Sequence, residues 1–208
     1  MAINDIYEAV VNLNDAEIVS LVQSEVDGGT AVSPILKDGL IAAMDEVGLR
    51  FSKGDMFVPE MLRAAQVMKA GLEIIKPHLT EGEMPNSGTV VLGTVQGDLH
   101  DIGKNLVAMM MEGAGFKVID LGVDVPGETF VKAVGEHQAD VIGLSALLTT
   151  TMPAMEEAVG LLRKAGISAK ILVGGAPLTE SFAEKIGADG YGEDAPSAAR
   201  LAKDLLAG

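Results

Sequence analysis

Apolar residues in the first 80 positions recur every three or four residues, the spacing of amphipathic helices. Ser33-Pro34 predicts the start of the third such helix, and Lys53-Gly54-Asp55 predicts its end. A fourth stops near Pro77. Four helices with short connections predict a helical bundle over residues 1–80. The clearest apolar stripes are Ile3, Ile6, Val10 and Leu13; Leu36, Leu40, Ala43, Met44, Val47 and Phe51; and Val58, Met61, Leu62, Ala65, Leu72 and Ile75.

Beyond Thr89 the pattern changes to short apolar runs that alternate with helical segments. This alternation predicts an α/β domain over residues 89–208, a five-stranded parallel sheet of the flavodoxin-like (Rossmann-like) kind with helices on both faces. Polar, turn-prone residues at 81–88 predict a linker. The expected strands are residues 90–95, 118–121, 141–144 and 171–173, with a weak fifth at 188–190. The expected helices are 104–114, 128–137, 153–164, 180–186 and about 194–206.

Charge and composition exclude several classes of partner. Thirty acidic residues against 15 basic ones give a net charge of -15, which repels nucleic acid and anionic membrane surfaces alike. No apolar run reaches the roughly 20 residues of a membrane span, and no targeting segment is found, so we expect a cytoplasmic protein. With no Cys, a metal must be held by histidine, carboxylate or a prosthetic group.

The loop Gly97-Asp98-Leu99-His100-Asp101-Ile102-Gly103 joins the first expected strand to its helix, at the sheet edge where α/β proteins bind ligands. It is not a phosphate loop, because its glycine spacing is one residue too long and its two carboxylates would repel a triphosphate. It is not a phospho-acceptor receiver site either. Such a site needs Asp after the third strand and Lys after the fifth, where this chain has Ser145 and Tyr191.

His100 has no second histidine at ligand spacing, since His78 and His137 lie in unrelated segments. A zinc cage is therefore unsupported. Two interpretations remain: a structural loop histidine, or the single axial ligand of a metal whose other positions a macrocycle fills. In the second, Asp98 accepts a hydrogen bond from one imidazole nitrogen while the other nitrogen binds the metal.

The loop resembles the Asp-x-His-x-x-Gly signature of cobalamin-binding domains, and two further elements of that family follow in order. The matching residues are Asp98, His100 and Gly103; Ser145 and Leu147 of a Ser-x-Leu element; and Gly174 and Gly175 of a Gly-Gly element. The helical domain resembles the cap module of methionine synthase. At this length, the chain is similar to the free-standing corrinoid proteins of methyltransferase systems.

The resemblance implies a cobalamin or related corrinoid bound base-off, with His100 as its lower axial cobalt ligand. It also implies catalytic roles for Asp98 and Ser145, which would form a hydrogen-bonded relay with His100. In the cap, Phe57 and Met61 would lie over the corrin, with bundle core as the alternative interpretation. The implied cofactor-binding residues are Gly97, Asp98, Leu99, His100, Asp101, Ile102, Gly103, Ser145, Leu147, Thr149, Gly174, Gly175, Tyr191, Phe57 and Met61.

Proteins of this family carry methyl groups and are not catalytic alone. The resemblance implies that cobalt(I) accepts a methyl group from a small substrate through a partner methyltransferase. Methyl-cobalt(III) then passes it to a second methyltransferase acting on tetrahydrofolate or coenzyme M, and a reductive activase restores cobalt(I). The cap must move between these partners, and residues 77–88 are the expected hinge.

Three alternatives remain open: a cobalamin-binding sensor or regulator, the cobalamin subunit of a mutase, and a corrinoid storage or delivery protein. The sequence leaves the methyl donor open among methanol, methylamines, aryl methyl ethers and betaines.

Overall fold

The N-terminal part of the chain is helical in the computed structural model, which describes residues 2–79 and 87–207. Its third helix passes through a π-helical stretch without a break. The helices are α1 (Ala2–Val11), α2 (Asp15–Asp27), α3 (Val32–Pro34, π-helical Ile35–Ile41 and Ala42–Lys53) and α4 (Val58–Ile75), which ends in the 3₁₀ turn Lys76–His78.

The apolar stripes form the interior of this helical unit, as the periodicity predicts. Ile6, Ile18 and Leu40 are fully buried. At Gly71 of α4, an added Cβ would lie 2.9 Å from Leu40 of α3 and 3.2 Å from Ile18 of α2. The three helices therefore approach closely at a position where glycine leaves room.

Helix ends differ in part from the prediction. Gly54 closes α3 in the left-handed conformation with φ 78°, as expected for a helix C-terminus. The predicted start at Ser33-Pro34 is wrong, because Ala31 caps the helix and Val32 is already helical. The π-helical stretch Ile35–Ile41 is not predicted either. Seven residues are too few for the apolar pattern to separate a π repeat from an α repeat.

The C-terminal part is a five-stranded parallel sheet with the order β2-β1-β3-β4-β5. The fold class predicted from the sequence is confirmed. The strands are β1 (Thr89–Thr94), β2 (Lys117–Asp120), β3 (Val141–Ser145), β4 (Lys170–Gly174) and β5 (Gly190–Gly192). The helices are α5 (Ile102–Gly113), α6 (Gly127–His137), α7 (Met152–Lys164), α8 (Glu180–Ile186) and α9 (Ala195–Ala207).

The strand order places the topological switch point between β1 and β3. β1 pairs with β2 on one side and with β3 on the other, with Thr94 opposite Ser145 at the carboxyl ends. The chain leaves β1 and β3 toward different neighbours, which opens a crevice between their following loops. Ligands of open α/β sheets bind in this crevice.

The fifth strand lies two residues later than predicted, at Gly190–Gly192 instead of residues 188–190. Asp189 lies just before it, and its carboxylate accepts a 2.6 Å hydrogen bond from the Ile171 amide. The two strand glycines have a packing reason. An added Cβ at Gly190 would lie 2.6 Å from Leu201 of α9, and one at Gly192 would lie 2.8 Å from Ala198.

The chain divides into two compact units, Met1–Asn86 with Gly113–Gly115 and Ser87–Glu112 with Phe116–Gly208. Residues 81–86 of the predicted linker, which spans 81–88, lie outside the described residues, so the linker and hinge stay predictions. In the two described ranges, the helices lack the length and apolar character that a bilayer crossing requires.

Candidate functional site

The loop after β1 begins with a tight turn that places Asp98 at the crevice. The Asp98 amide donates to the Val95 carbonyl at 3.1 Å, which closes a four-residue β-turn. Gly97 occupies the third position of this turn with φ 84°, as a type II turn requires. The chain then runs through His100 and enters α5 at Ile102.

Asp98 is a fully buried carboxylate that joins the loops after β1 and β3. Its Oδ2 accepts hydrogen bonds from the Leu147 amide at 2.8 Å and from the Thr151 hydroxyl at 2.7 Å. Its Oδ1 lies 2.7 Å from His100 Nδ1 and also accepts from the His100 amide at 3.1 Å. One carboxylate therefore spans the crevice and holds the imidazole.

The surroundings of Asp98 keep it ionised. Burial alone would raise the pKa of its carboxyl group, but the hydrogen bonds from Leu147, Thr151 and His100 outweigh burial and hold that pKa well below the usual range. An ionised carboxylate only accepts hydrogen bonds, so His100 carries a proton on Nδ1. The neutral ring then has its lone pair on Nε2, and the side chain is 51% exposed. His100 is thus prepared to act as a ligand through Nε2.

The backbone of His100 is fixed separately from its ring. Thr94, a buried residue at the end of β1, donates its hydroxyl to the His100 carbonyl at 2.9 Å. This bond ties the loop to the sheet directly beneath it. Ring and backbone of His100 are therefore both anchored by hydrogen bonds.

The hydroxyl that reaches Asp98 belongs to Thr151 rather than to Ser145. Thr151 occupies the N-cap position of α7, yet its hydroxyl makes no capping bond and lies 2.7 Å from Asp98 Oδ2, with the Leu148 carbonyl as a second acceptor at 2.9 Å. Sequence reasoning missed it, although a threonine just before a helix start that carries Pro153 was a usable signal. Ser145 ends β3 half-buried, and its carbonyl accepts the Val95 amide at 3.0 Å. Its predicted relay role stays a prediction.

Comparison with known proteins identifies the family to which this arrangement belongs. A family model described as "B12 binding domain" matches residues 88–200, and a second model with the same description matches residues 2–76. The chain belongs to the B12-binding corrinoid proteins. The resemblance stated from the sequence is confirmed.

Relatives of this corrinoid protein match it over nearly its whole length. It is 44% identical to dimethylamine corrinoid protein 1 of Methanosarcina acetivorans, over 96% of this chain and 94% of the relative. It is 40% identical to a corrinoid protein of Desulfitobacterium hafniense, over 98% of this chain and 97% of the relative. The regulator and mutase alternatives are not favoured, because these full-length relatives are corrinoid proteins.

A solved structure of the methanol:cobalamin methyltransferase complex from Methanosarcina barkeri also resembles the chain, with a TM-score of 0.87 and 32% identity. The match covers 100% of this chain and 80% of that one. A cobalamin-binding protein from Desulfitobacterium hafniense gives a TM-score of 0.83 at 32% identity, covering 97% of both chains.

Exposed side chains, most of them apolar, lie on the loops after β1 and β3 of the corrinoid protein. Leu99 is 70% exposed and Ile102 is 79% exposed, while Leu147 and Thr149 are exposed on the loop after β3. Nothing lies within 4 Å of a Cβ added at Gly103. The loops after β1 and β3 therefore present an uncovered apolar surface, as a site for a large apolar-edged ligand requires.

The carboxyl ends of β4 and β5 are lined by glycines. An added Cβ at Gly174 would lie 3.1 Å from the Gly192 carbonyl oxygen. At Gly175, which has φ 136°, it would lie 1.8 Å from the Ala146 carbonyl oxygen, so only glycine fits there. Tyr191 of β5 is half-buried, and burial, followed by the charge of Glu193, raises the pKa of its phenol.

The remaining predicted residues are placed as follows. Asp101 is exposed, and its carbonyl accepts the Asn105 amide at 2.8 Å in the first turn of α5. In the helical unit, Phe57 precedes α4 and is 66% exposed, whereas Met61 is buried. Their roles at a bound corrinoid stay predictions.

Proposed function

We propose that this corrinoid protein is a methyl carrier in which His100 Nε2 binds the lower side of the cobalt and the corrinoid's own base is displaced. The observation that carries the proposal is the 2.7 Å contact between the Asp98 carboxylate and His100 Nδ1. It supports this binding mode because a half-exposed imidazole with Nδ1 occupied can only ligate through Nε2. When bound, the corrinoid supplies a cobalt centre that takes up a methyl group and delivers it to an acceptor.

The residues of the site fit a corrinoid on two observations. The exposed side chains of Leu99, Ile102 and Leu147 offer apolar surface next to His100 that a macrocycle would remove from water. The ends of β4 and β5 carry no side chains at Gly174, Gly175 and Gly192, so they present backbone only, and a Cβ at Gly174 would lie 3.1 Å from the Gly192 carbonyl oxygen. We assign the macrocycle to the first region and the nucleotide tail to the second.

Asp98 and His100 also hold a proton when the imidazole is released from the metal. A free Nε2 can take up a proton, while Nδ1 stays 2.7 Å from the Asp98 carboxylate. Ligation therefore competes with protonation at Nε2. Thr151 and the Leu147 amide keep the carboxylate in place in both states, because they donate to Oδ2 and leave Oδ1 to the imidazole.

The partners follow from the proposed carrier role. A substrate-specific methyltransferase loads the methyl group, a second one acting on tetrahydrofolate or coenzyme M removes it, and a reductive activase restores the carrier. Three relatives that are 41–44% identical are named dimethylamine corrinoid proteins. Methylated amines are therefore the first donors to test, with methanol as the comparison.

Reconstitution tests the proposal directly. We expect purified protein mixed with hydroxocobalamin to stay coloured after desalting and to show the visible spectrum of histidine coordination. The variant His100→Gly should still bind the corrinoid but lose that spectrum and impair methyl transfer. His137→Gln, at an exposed helix end, is the matched control and should behave as wild type. A His100→Gly spectrum identical to wild type would remove His100 from the cobalt.

A further inference from the structure

Asp124, in the loop between β2 and α6, has an unusual backbone conformation beside the site. It has φ 55°, one of three non-glycine residues with positive φ in the described ranges. This left-handed conformation is disfavoured for residues with a Cβ, although Asp and Asn tolerate it better than most. A residue held there against its preference requires compensating contacts.

The contacts of Asp124 lie on both sides of Asp98. Its carboxylate Oδ1 accepts the Gly97 amide at 2.7 Å, and its own amide donates to the Asp98 carbonyl at 3.0 Å. Asp124 is therefore hydrogen-bonded both to Gly97, which directly precedes Asp98, and to Asp98 itself. Neither bond involves the Asp98 carboxylate, which Leu147, Thr151 and His100 already occupy.

Asp124 is the acceptor of the Gly97 amide. In the turn from Val95 to Asp98, the hydrogen bond that closes the turn uses the Asp98 amide and leaves the Gly97 amide unpaired. The carboxylate of Asp124 supplies a charged acceptor, which makes a stronger bond than a neutral one. The orientation of the turn, and with it the direction in which Asp98 leaves the sheet, is then fixed.

The segment that carries Asp124 is itself attached to β1. The Gly122 carbonyl accepts the Thr94 amide at 3.0 Å, and the Val125 amide donates to the Thr94 carbonyl at 2.9 Å. Val95 and Val125 form an isolated parallel bridge. Residues on both sides of Asp124, Gly122 and Val125, are therefore hydrogen-bonded to Thr94. Between them Asp124 adopts the left-handed conformation, and its carboxylate accepts the Gly97 amide.

We propose that Asp124 is a positioning residue for the metal-ligating histidine. By fixing the turn from Val95 to Asp98, it sets where Asp98 places the His100 ring. The assignment rests on the proposed function, because it explains how the ligand is aimed. Asp124 is exposed and acts through Asp98, without contact to the metal.

Two substitutions separate the carboxylate from the backbone conformation. Asp124→Gly removes the acceptor but tolerates positive φ and keeps the amide that donates to Asp98. Asp124→Asn removes the charge yet keeps an oxygen acceptor and the tolerance of the left-handed region. If Asp124 positions the turn, Gly should lose the behaviour of wild type, and Asn, whose neutral oxygen is a weaker acceptor, should lie between wild type and Gly.

The first measurement uses cofactor-free protein. We expect amide hydrogen exchange at Gly97 to be about tenfold faster in Asp124→Gly, as loss of a hydrogen bond to a charged acceptor implies. Exchange at Val91 in the middle of β1 should not change, which shows that the fold is retained. Unchanged exchange at Gly97, or equal acceleration in Asp124→Asn, would overturn the assignment.

The second measurement is the visible spectrum after loading with hydroxocobalamin. Asp124→Gly should show a smaller fraction of histidine-coordinated corrinoid than wild type, and the fraction in Asp124→Asn should lie between the two. Equal fractions in all three proteins would overturn the positioning role. If wild type itself lacks histidine coordination while the exchange difference persists, the proposed function fails but the contact of Asp124 with the turn stands.

Discussion

A carboxylate without solvent contact destabilises a fold unless its oxygens find donors, and Asp98 meets that condition with backbone, hydroxyl and imidazole groups. The donors are divided between the two oxygens. Oδ2 accepts hydrogen bonds from the loop after β3, and Oδ1 accepts them from His100. This division means that the group setting the imidazole tautomer is itself held by the opposite side of the crevice, so the ring has a fixed orientation before any ligand binds.

Asp98→Asn should reverse the tautomer of His100. If the amide oxygen takes the place of Oδ2 opposite Leu147 and Thr151, the amide NH₂ faces Nδ1 and donates to it. The proton of the neutral ring then moves to Nε2, and Nε2 must lose that proton before it binds a metal. We expect histidine coordination to hydroxocobalamin to weaken by about 10–100-fold, the usual effect of losing such a partner. Visible titration of reconstituted protein measures it.

Thr151→Val is the companion variant for this test, because it removes the hydroxyl donor but leaves Oδ1 and the tautomer in place. It should cost about 1–3 kcal/mol of unfolding free energy and retain histidine coordination. Coordination in Asp98→Asn as strong as in wild type would show that Oδ1 does not set the tautomer.

For single residues, the sequence predicts contacts between residues that are close along the chain and misses contacts between residues that are far apart along it. Asp98 and His100 are two residues apart, so their spacing alone suggests a carboxylate–imidazole pair. Thr151 lies 53 positions from Asp98, and only the parallel pairing of β1 with β3 brings them together. Asp124 escaped prediction for the same reason, since its contact with Gly97 spans 27 positions.

At the scale of elements, an ion pair attaches the first turn of α5 to the end of β2. Lys104 Nζ lies 2.5 Å from Asp120 Oδ2 and 2.8 Å from Asn105 Oδ1. The two partners are unequally buried, with side-chain exposures of 3% for Lys104 and 40% for Asp120. Asp120 Oδ1 also accepts the Gly122 amide at 2.9 Å, so the pair steadies the segment that carries Asp124.

Removing the Asp120 carboxylate and removing the Lys104 ammonium should lower the free energy of unfolding by different amounts. Asp120→Ala leaves the buried ammonium of Lys104 without its counter-charge, and we expect a loss of about 2–4 kcal/mol in the free energy of unfolding. Lys104→Met leaves a carboxylate that water can reach, and about 1 kcal/mol is expected. Urea unfolding of the cofactor-free proteins compares them. A larger loss for Lys104→Met would contradict the assignment of Lys104 as the buried partner.

Elements with strong periodicity were predicted to within one or two residues. α8 was predicted at its observed bounds, and β1 to β4 differ from prediction by no more than one residue at either end. β5 was displaced because two of its three residues are glycines, whose presence reflects close packing on α9 rather than strand propensity. The local pattern of apolar residues predicts neither the packing of β5 on α9 nor the π-helical stretch of α3.

At the scale of the whole chain, the helical unit and the α/β unit each match a B12-binding family model. The relatives match across both units as well. The family was predicted because three short elements, at Asp98, Ser145 and Gly174, occur in the order that a parallel sheet requires. The methyl donor was not predicted, since none of the residues in these three elements identifies the substrate of a partner enzyme.

Isotopic labelling tests the central claim, that His100 Nε2 binds cobalt in place of the corrinoid's own base. Protein whose histidines carry ¹⁵N is loaded with unlabelled cobalamin and reduced by one electron to the paramagnetic cobalt(II) state. We predict that the nitrogen splitting in its electron paramagnetic resonance spectrum is a doublet, from ¹⁵N of spin one half, and that His100→Gly loses the doublet. A triplet from ¹⁴N in the labelled protein would mean that the cofactor's own base remains on the metal, and would contradict the account.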